Sequence, residues 1–239
     1  MALSCSHGAN LDPLAADAAV KLRQRWKPDT LVHLGDWIDT SCWRKGAQGT
    51  PDESADPEAD MNAGLKFLRE LKPTHLTPGN HDIRPLHFID HKDARIAHAA
   101  SKCIQYIDTE FRRMGIKTLK TWDVWNQFEF GGVKYTHGFK FNVNAARDTA
   151  IAMGQTVVFG HTHKVMQQHV DSLREHYGIC VGALCQFRNM DYAAARASTL
   201  GWSQGMVFGE YTEDRKPESK LWLIDNGRND ARETWRLPV

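Results

Sequence analysis

The chain has 239 residues, 41% hydrophobic and 25% charged, enough to bury a substantial core in one large domain or two small ones. Lys and Arg number 30 against 29 Asp and Glu, so no overall basic field draws nucleic acid and no acidic excess imposes disorder. No apolar run approaches the roughly 18–20 residues of a membrane span, the first residues lack a secretory pattern, and five cysteines without CxxC spacing read as reduced thiols of a cytoplasmic protein.

Short β-like runs alternate with amphipathic helices, the pattern of an α/β protein. Asp12 and Pro13 read as N-cap and first residue of a helix that buries Leu14, Ala18, Leu22 and Trp26 and ends before Pro28. Leu31 to Leu34 is a buried strand stopping at Gly35. Thr40 to about Asp60 is polar, and Thr50 to Glu58, with two prolines and acids but no base, reads as a solvated loop. Met61, Leu65 and Leu68 mark a helix closing before Pro73, and a strand follows at Thr74 to Thr77. A long helix is predicted over Ile89 to Met114, with Ile96, Ala100, Cys103, Ile107, Phe111 and Met114 on one face. Residues 91–120 hold seven Lys and Arg against three Asp and Glu; the charges read first as a helix's solvated face and second as a phosphate-binding groove. Phe128 to Phe130 and Val133 to Tyr135 form a hairpin across Gly131-Gly132. A helix at Ala145 to Met153 precedes a strand at Thr156 to Phe159, and further strands are predicted at Ile179–Val181, Met206–Phe208 and Leu221–Ile224. Neither repeat nor linker divides the chain, so residues 1–239 are expected to form a single domain.

The informative residues stand where strands end: Cys5-Ser6-His7, Gly35-Asp36-Trp37-Ile38-Asp39, Gly79-Asn80-His81-Asp82, Thr136-His137-Gly138 and Gly160-His161-Thr162-His163. In an open α/β sheet the carboxyl ends of the strands line the crevice where ligands bind. Any one of these groups is commonplace, because Gly-Asp is usually a turn and Asn-His usually surface polarity. Five together, bringing imidazole, carboxylate and carboxamide to one crevice, make a site for Zn, Mn or Fe(II). Of the other histidines, His33 and His75 read as packed or edge residues within strands, and His176 as a helix-end residue.

The order of these five blocks resembles the signature of the calcineurin-like metallophosphoesterase superfamily, written here Cys5-x-His7, Gly35-Asp36-x-x-Asp39, Gly79-Asn80-His81-Asp82, His137 and Gly160-His161-x-His163. Trp202 to Met206 is further similar to small stand-alone phage and bacterial members. The resemblance implies an α/β fold of two mixed β-sheets packed as a sandwich and flanked by helices. It implies two divalent metal ions (Mn, Zn, Fe or Ni), with Asp36 shared, His7 and His163 on the first, and Asn80, His137 and His161 on the second. His81 would protonate the leaving oxygen with Asp82 as its orienting partner, and Asp39 would hold a ligand histidine. Two cations about 3.5–4 Å apart suit such work, clamping a phosphate and activating a water. Where the family has Asp, this chain has Cys5, and three outcomes are open. The thiolate binds and favours Zn or Fe, the thiol stays protonated beside the first metal, or the first site is weak; a short side chain with one donor favours the last two.

The expected activity is hydrolysis of a phosphate mono- or diester. Nuclease or phosphodiesterase and phosphatase readings stand side by side, with Arg84, Trp43 and Arg44 as candidate substrate contacts. The alternative is a non-catalytic metal-binding or interaction module on the same scaffold. The expected partners are a phosphoester substrate, such as nucleic acid or a nucleotide, and no membrane.

Overall fold

A computed structural model of the protein describes residues 1–123, 125–171, 175–190, 201–213, 218–227, 235 and 237. Its described strands form two mixed sheets. The first joins β1 (Ala2–Leu3), β2 (Val32–His33), β3 (His75–Leu76), β4 (Lys117–Thr118), β10 (Gln204–Thr212) and β11 (Glu218–Gly227) in the order β11-β10-β1-β2-β3-β4. Strands β1 to β4 run parallel, while β10 lies antiparallel to both β1 and β11. The second joins β5 (Phe128–Phe130), β6 (Val133–Tyr135), β7 (Val157–Phe159), β8 (Val165–Val170) and β9 (His176–Val181) in the order β5-β6-β7-β9-β8, with β6, β7 and β9 parallel.

The sheets face each other. Ala2, Val32, Leu34 and Val207 from the first pack on Val133, Tyr135, Val158, Ile179 and Val181 from the second. The outer face of the first sheet is covered by α1 (Pro13–Trp26), α2 (Pro57–Leu71) and α3 (Ala94–Met114), and that of the second by α4 (Ala145–Met153). Burial of these apolar faces contributes roughly 25 cal/mol per Å² removed from water and holds the layers together. Among the described residues no helix is long and apolar enough to cross a membrane, and all five cysteines are free thiols.

Local chemistry explains most boundaries. Asp12 caps α1 by accepting the amides of Leu14 and Ala15, and Asp56 caps α2 through Glu58 and Ala59. Four readings need correction. Helix α1 buries Ala15, Ala18, Ala19 and Leu22, leaving Leu14 half exposed, because small alanines let the helix lie close to the sheet. The stretch read as a solvated loop to Glu58 already enters α2 at Pro57, since Asp56-Pro57 is a cap with a first-turn proline. The long helix begins at Ala94, where Asp93 caps it, so residues 89–93 lie outside it, between the helix and a 3-10 turn at Arg84–Phe88. His176 opens strand β9 and belongs to no helix. The basic face of α3 is in part internally matched: Arg95 pairs with Asp93, Arg112 with Asp108, and Arg69 and Arg113 with Glu110.

Candidate metal centre

Five parallel strands, β1, β2 and β3 of one sheet and β6 and β7 of the other, end at the same edge of the sandwich, and the five polar blocks follow them. The loops are tied to one another. Cys5 donates its amide to the Gly35 carbonyl at 3.0 Å, His7 to Asp36 at 3.0 Å, and Gly160 to His137 at 3.0 Å. Gly79 has no Cβ because one would strike the Asp36 carboxylate, so this glycine lets the third loop close over the second.

The turns are tight enough to force unusual backbone. Cys5, His7, Asp36, Thr40, His161 and His163 all have φ between 46° and 65°. The two other non-glycine residues with positive φ among the described ones, Lys27 and Lys72, simply end helices. Each left-handed residue with a Cβ costs roughly 1–2 kcal/mol, and such strain gathers at functional sites.

The side chains converge as three overlapping groups, two of them centred on Asp36 and the third made of His7, Asp39 and His81. Cys5, His7, Asp36 and His163, all buried, bring one ligand atom each within 4.8 Å of one another; Asp36, His137 and His161 do the same. Asp36 belongs to both. In the second group Asn80 Oδ1 lies 3.1 Å from His137 Nε2 and 2.9 Å from His161 Nδ1, and Asp36 Oδ2 lies 3.2 Å from His137 Nε2. His137 Nδ1 donates to the Leu34 carbonyl at 2.7 Å, which in the neutral ring leaves Nε2 as a lone pair. Three groups that accept hydrogen bonds thus point at one spot, and a single proton on His161 cannot serve them all. In the first group His7 Nδ1 meets Asp39 Oδ1 at 3.3 Å, turning its Nε2 toward His163 Nε2 at 3.0 Å. The buried His163 Nδ1 has no hydrogen-bond partner among the described residues. Nitrogen and oxygen lone pairs gathered in this way fit divalent cations, which accept all of them together.

Electrostatics follow the same geometry. Burial opposes charge on Asp36, yet the surrounding histidines outweigh it and hold its pKa well below the carboxylate range. Burial likewise opposes Asp39, whose bonds to His7 and His81 drive its pKa down. Burial lowers the pKa of His163, and that of His161 to about 4, keeping both rings neutral and available as ligands. Burial, followed by the Asp36 charge, raises the Cys5 thiol well above its ordinary value, so in the cation-free protein it carries its proton. Beneath the first group His33 bonds Ser6 Oγ at 3.1 Å, and burial lowers its pKa to about 3.

His81 stands at the mouth of the cluster, with Nδ1 2.5 Å from Asp39 Oδ1 and Nε2 3.2 Å from an Arg84 nitrogen. Its orienting carboxylate is therefore Asp39, which corrects the assignment to Asp82. Asp82 accepts four backbone amides, from Asp36, Trp37, Ile38 and Gly79, and so clamps the loop that carries Asp36. Arg84 is anchored on the Asp39 carbonyl and reaches His81, but Arg44 is paired with Asp52 at 2.6 Å and Trp43 packs on Phe88. The 41–54 loop thus holds Trp43 and Arg44 on itself and on the 84–88 turn.

Three further residues have roles at the site that the sequence does not assign. Asp60, buried inside α2, accepts the amides of Ala9, Asp39 and Thr40 and so fixes two ligand loops at once. Trp122 lies 5.9 Å from the His161 ring and donates to the Gly138 carbonyl, while Trp202 packs edge-on against His163 at 4.4 Å. Only the acid spacing of α2 hints at Asp60, nothing local marks Trp122, and Trp202 stands in a stretch similar to small phage and bacterial members without a role of its own.

The sequence model of the calcineurin-like phosphoesterases matches residues 1–165. The Gene 54 protein of Mycobacterium phage D29 is 28% identical over 219 residues, covering 80% of this chain and 81% of its own. The Gene 54 protein of Mycobacterium phage L5 is 27% identical over 201 residues, 76% of each. Among solved structures, Yfce, a phosphoesterase from E. coli, aligns over 94% of this chain and 97% of its own at 17% identity and a TM-score of 0.41.

Proposed function

Because the chain belongs to the calcineurin-like phosphoesterase family, we propose that it hydrolyses a phosphoester with two divalent cations held at the crevice just described. The convergence of lone pairs on both sides of Asp36 is the observation that carries this reading. His7, Asp36 and His163, with Cys5 at its edge, would hold the first cation; Asp36, Asn80, His137 and His161 would hold the second. When bound, the cations supply positive charge for the phosphate oxygens and make water a nucleophile near neutral pH.

The remaining work falls to side chains. Asp39 fixes the His81 ring by Nδ1, and Nε2, which accepts from Arg84 at 3.2 Å, would exchange that contact for the leaving oxygen when Arg84 turns to the phosphate. Burial lowers the His81 pKa against the pull of Asp36 and Asp39, so the free ring is neutral at pH 7. A bound phosphate anion supplies the negative charge that draws a proton onto Nε2, from which it passes to the departing alkoxide. Arg84, beside that nitrogen, offers a phosphate oxygen a fixed positive charge. Asn80 contributes a neutral oxygen, so the ligand set keeps the net positive charge that an anionic substrate needs.

The test is release of nitrophenol from mono- and bis-nitrophenyl phosphates. Chelation should abolish it and Mn²⁺, Zn²⁺, Ni²⁺ or Fe²⁺ restore it. Cation binding with no release from either ester under any of these metals would make the protein a metal-binding module instead.

A further inference from the structure

The most exposed apolar side chains among the described residues are not scattered. Trp125, Phe141 and Val143 are 84%, 82% and 77% exposed, whereas the next, Leu14 and Ile151, reach 51%. Single exposed apolar residues are ordinary, but these three sit in two loops, 119–127 and 138–144, joined where Trp122 Nε1 donates to the Gly138 carbonyl at 2.9 Å. Gly138 directly follows His137, and the Trp122 ring lies 5.9 Å from His161, so the pair of loops rims the second half of the metal centre.

Both loops are built to hold these side chains out. Asp123 accepts the amides of Trp125 and Asn126 together with the Thr121 hydroxyl, and the Asn126 side chain bonds back to Thr121 and Asp123. In the other loop Asn142 bonds the Asp148 carboxylate and the Asn144 amide. Three lysines accompany the aromatics. Lys117 opens β4 and Lys120 follows it, both exposed, and Lys140 Nζ lies 5.8 Å from the Phe139 ring. The one acid in the 119–127 loop, Asp123, has its oxygens engaged by the loop itself.

Resting on the phosphoesterase reading, we propose that these two loops form a stacking rim that binds single-stranded nucleic acid and delivers one of its phosphodiesters to the metal centre. Aromatic faces interleaved with lysines suit bases and backbone phosphates together, and a flat ring can stack only on a base that is not already stacked in a duplex. Trp122 bridges the rim and the histidines that would hold the second cation.

The experiment measures anisotropy of a fluorescent, phosphorothioate-linked oligothymidylate, which resists cleavage, against the metal-loaded protein. Nitrophenol release from bis-nitrophenyl phosphate is followed in parallel. Wild type should bind, more weakly as salt rises. Trp125→Ala and Phe141→Ala should each weaken binding by roughly 5- to 150-fold. Trp125→Phe should keep most of it, and Leu14→Ala, an exposed change on α1, should leave it intact. No binding by wild type, or equal binding by the rim variants, overturns the proposal. So does a finding that the variants lose adhesion to phosphatidylglycerol vesicles or self-association instead. Rim-dependent binding without nitrophenol release would sink the catalytic reading and leave the rim standing; release without binding would do the reverse.

Discussion

The two halves of the proposed metal centre share Asp36 and differ in nearly everything else. The first is sealed: Cys5, His7, Asp36 and His163 are all buried, with Trp202 packed on His163 and the thiol of Cys5 in the ring of ligand atoms. The second is more open, since Asn80 and His161 are only partly buried, and it carries oxygen and nitrogen donors without sulfur. Softness and closure go together in one half, hardness and access in the other. The first should retain its cation and choose it narrowly, while the second meets solvent and substrate. The proposed nucleic-acid rim belongs to the second half too, through Trp122.

Asp36→Asn should give the largest effect, because it is the one change that touches both halves. Both cations should be lost, and kcat/KM on bis-nitrophenyl phosphate should fall by more than the roughly 10²- to 10⁴-fold that general acid–base catalysis contributes. Elemental analysis finding two equivalents of metal in an active variant would end the shared-ligand idea.

His81→Ala asks whether a residue outside both halves acts on the substrate alone. Metal content should stay at the wild-type level, with a loss of about 10²- to 10⁴-fold on alkyl phosphodiesters and a smaller one on nitrophenyl esters, whose leaving groups need no proton. Equal losses on the two would remove the acid role, and loss of metal would make His81 a ligand.

Cys5→Asp should erase the contrast itself. Mn²⁺ occupancy of the first half should rise and Zn²⁺ preference fall, changing Mn²⁺-supported activity upward by about tenfold. Lower activity at unchanged stoichiometry would show that the thiol is a working ligand.

The smallest effect is a pH slope from the ground beneath the first half. His33 has a folded pKa of about 3 against an ordinary 6.5, so between these values the unfolded chain holds the extra proton and stability is lost as pH falls. The slope is at most about 1.4 kcal/mol per pH unit for one such group. Urea titrations from pH 7 to 4 should become shallower in pH for His33→Gln; an unchanged dependence would place the slope elsewhere.

The residues proposed as ligands, His7, Asp36, Asn80, His137, His161 and His163, are legible in the sequence as a family pattern at strand ends that the apolar runs already mark, and the fold brings their side chains together. What escaped were groups whose work is defined only by tertiary contact. Asp60 looked like one more acid near a solvated stretch, yet the amides it binds lie on two loops far away in sequence. Asp39 and Asp82 were both visible, but which carboxylate faces His81 depends on how the loops cross. Strand β8 is not legible in the sequence because its inward-facing positions, Met166, Gln168 and Val170, include a glutamine, which breaks the apolar alternation of this edge strand. Helix α4 and the hairpin of β5 and β6 were read correctly, since their signals are local.

The left-handed backbone at Cys5, His7, Asp36, His161 and His163 sets stability and chemistry against each other at single positions. At each, glycine would relieve the torsional strain, and at each it would delete a donor atom. Selection for heat resistance alone would put no pressure on keeping the donor atoms at these positions. Any stabilised form of this protein should be screened for metal uptake before it is screened for melting temperature.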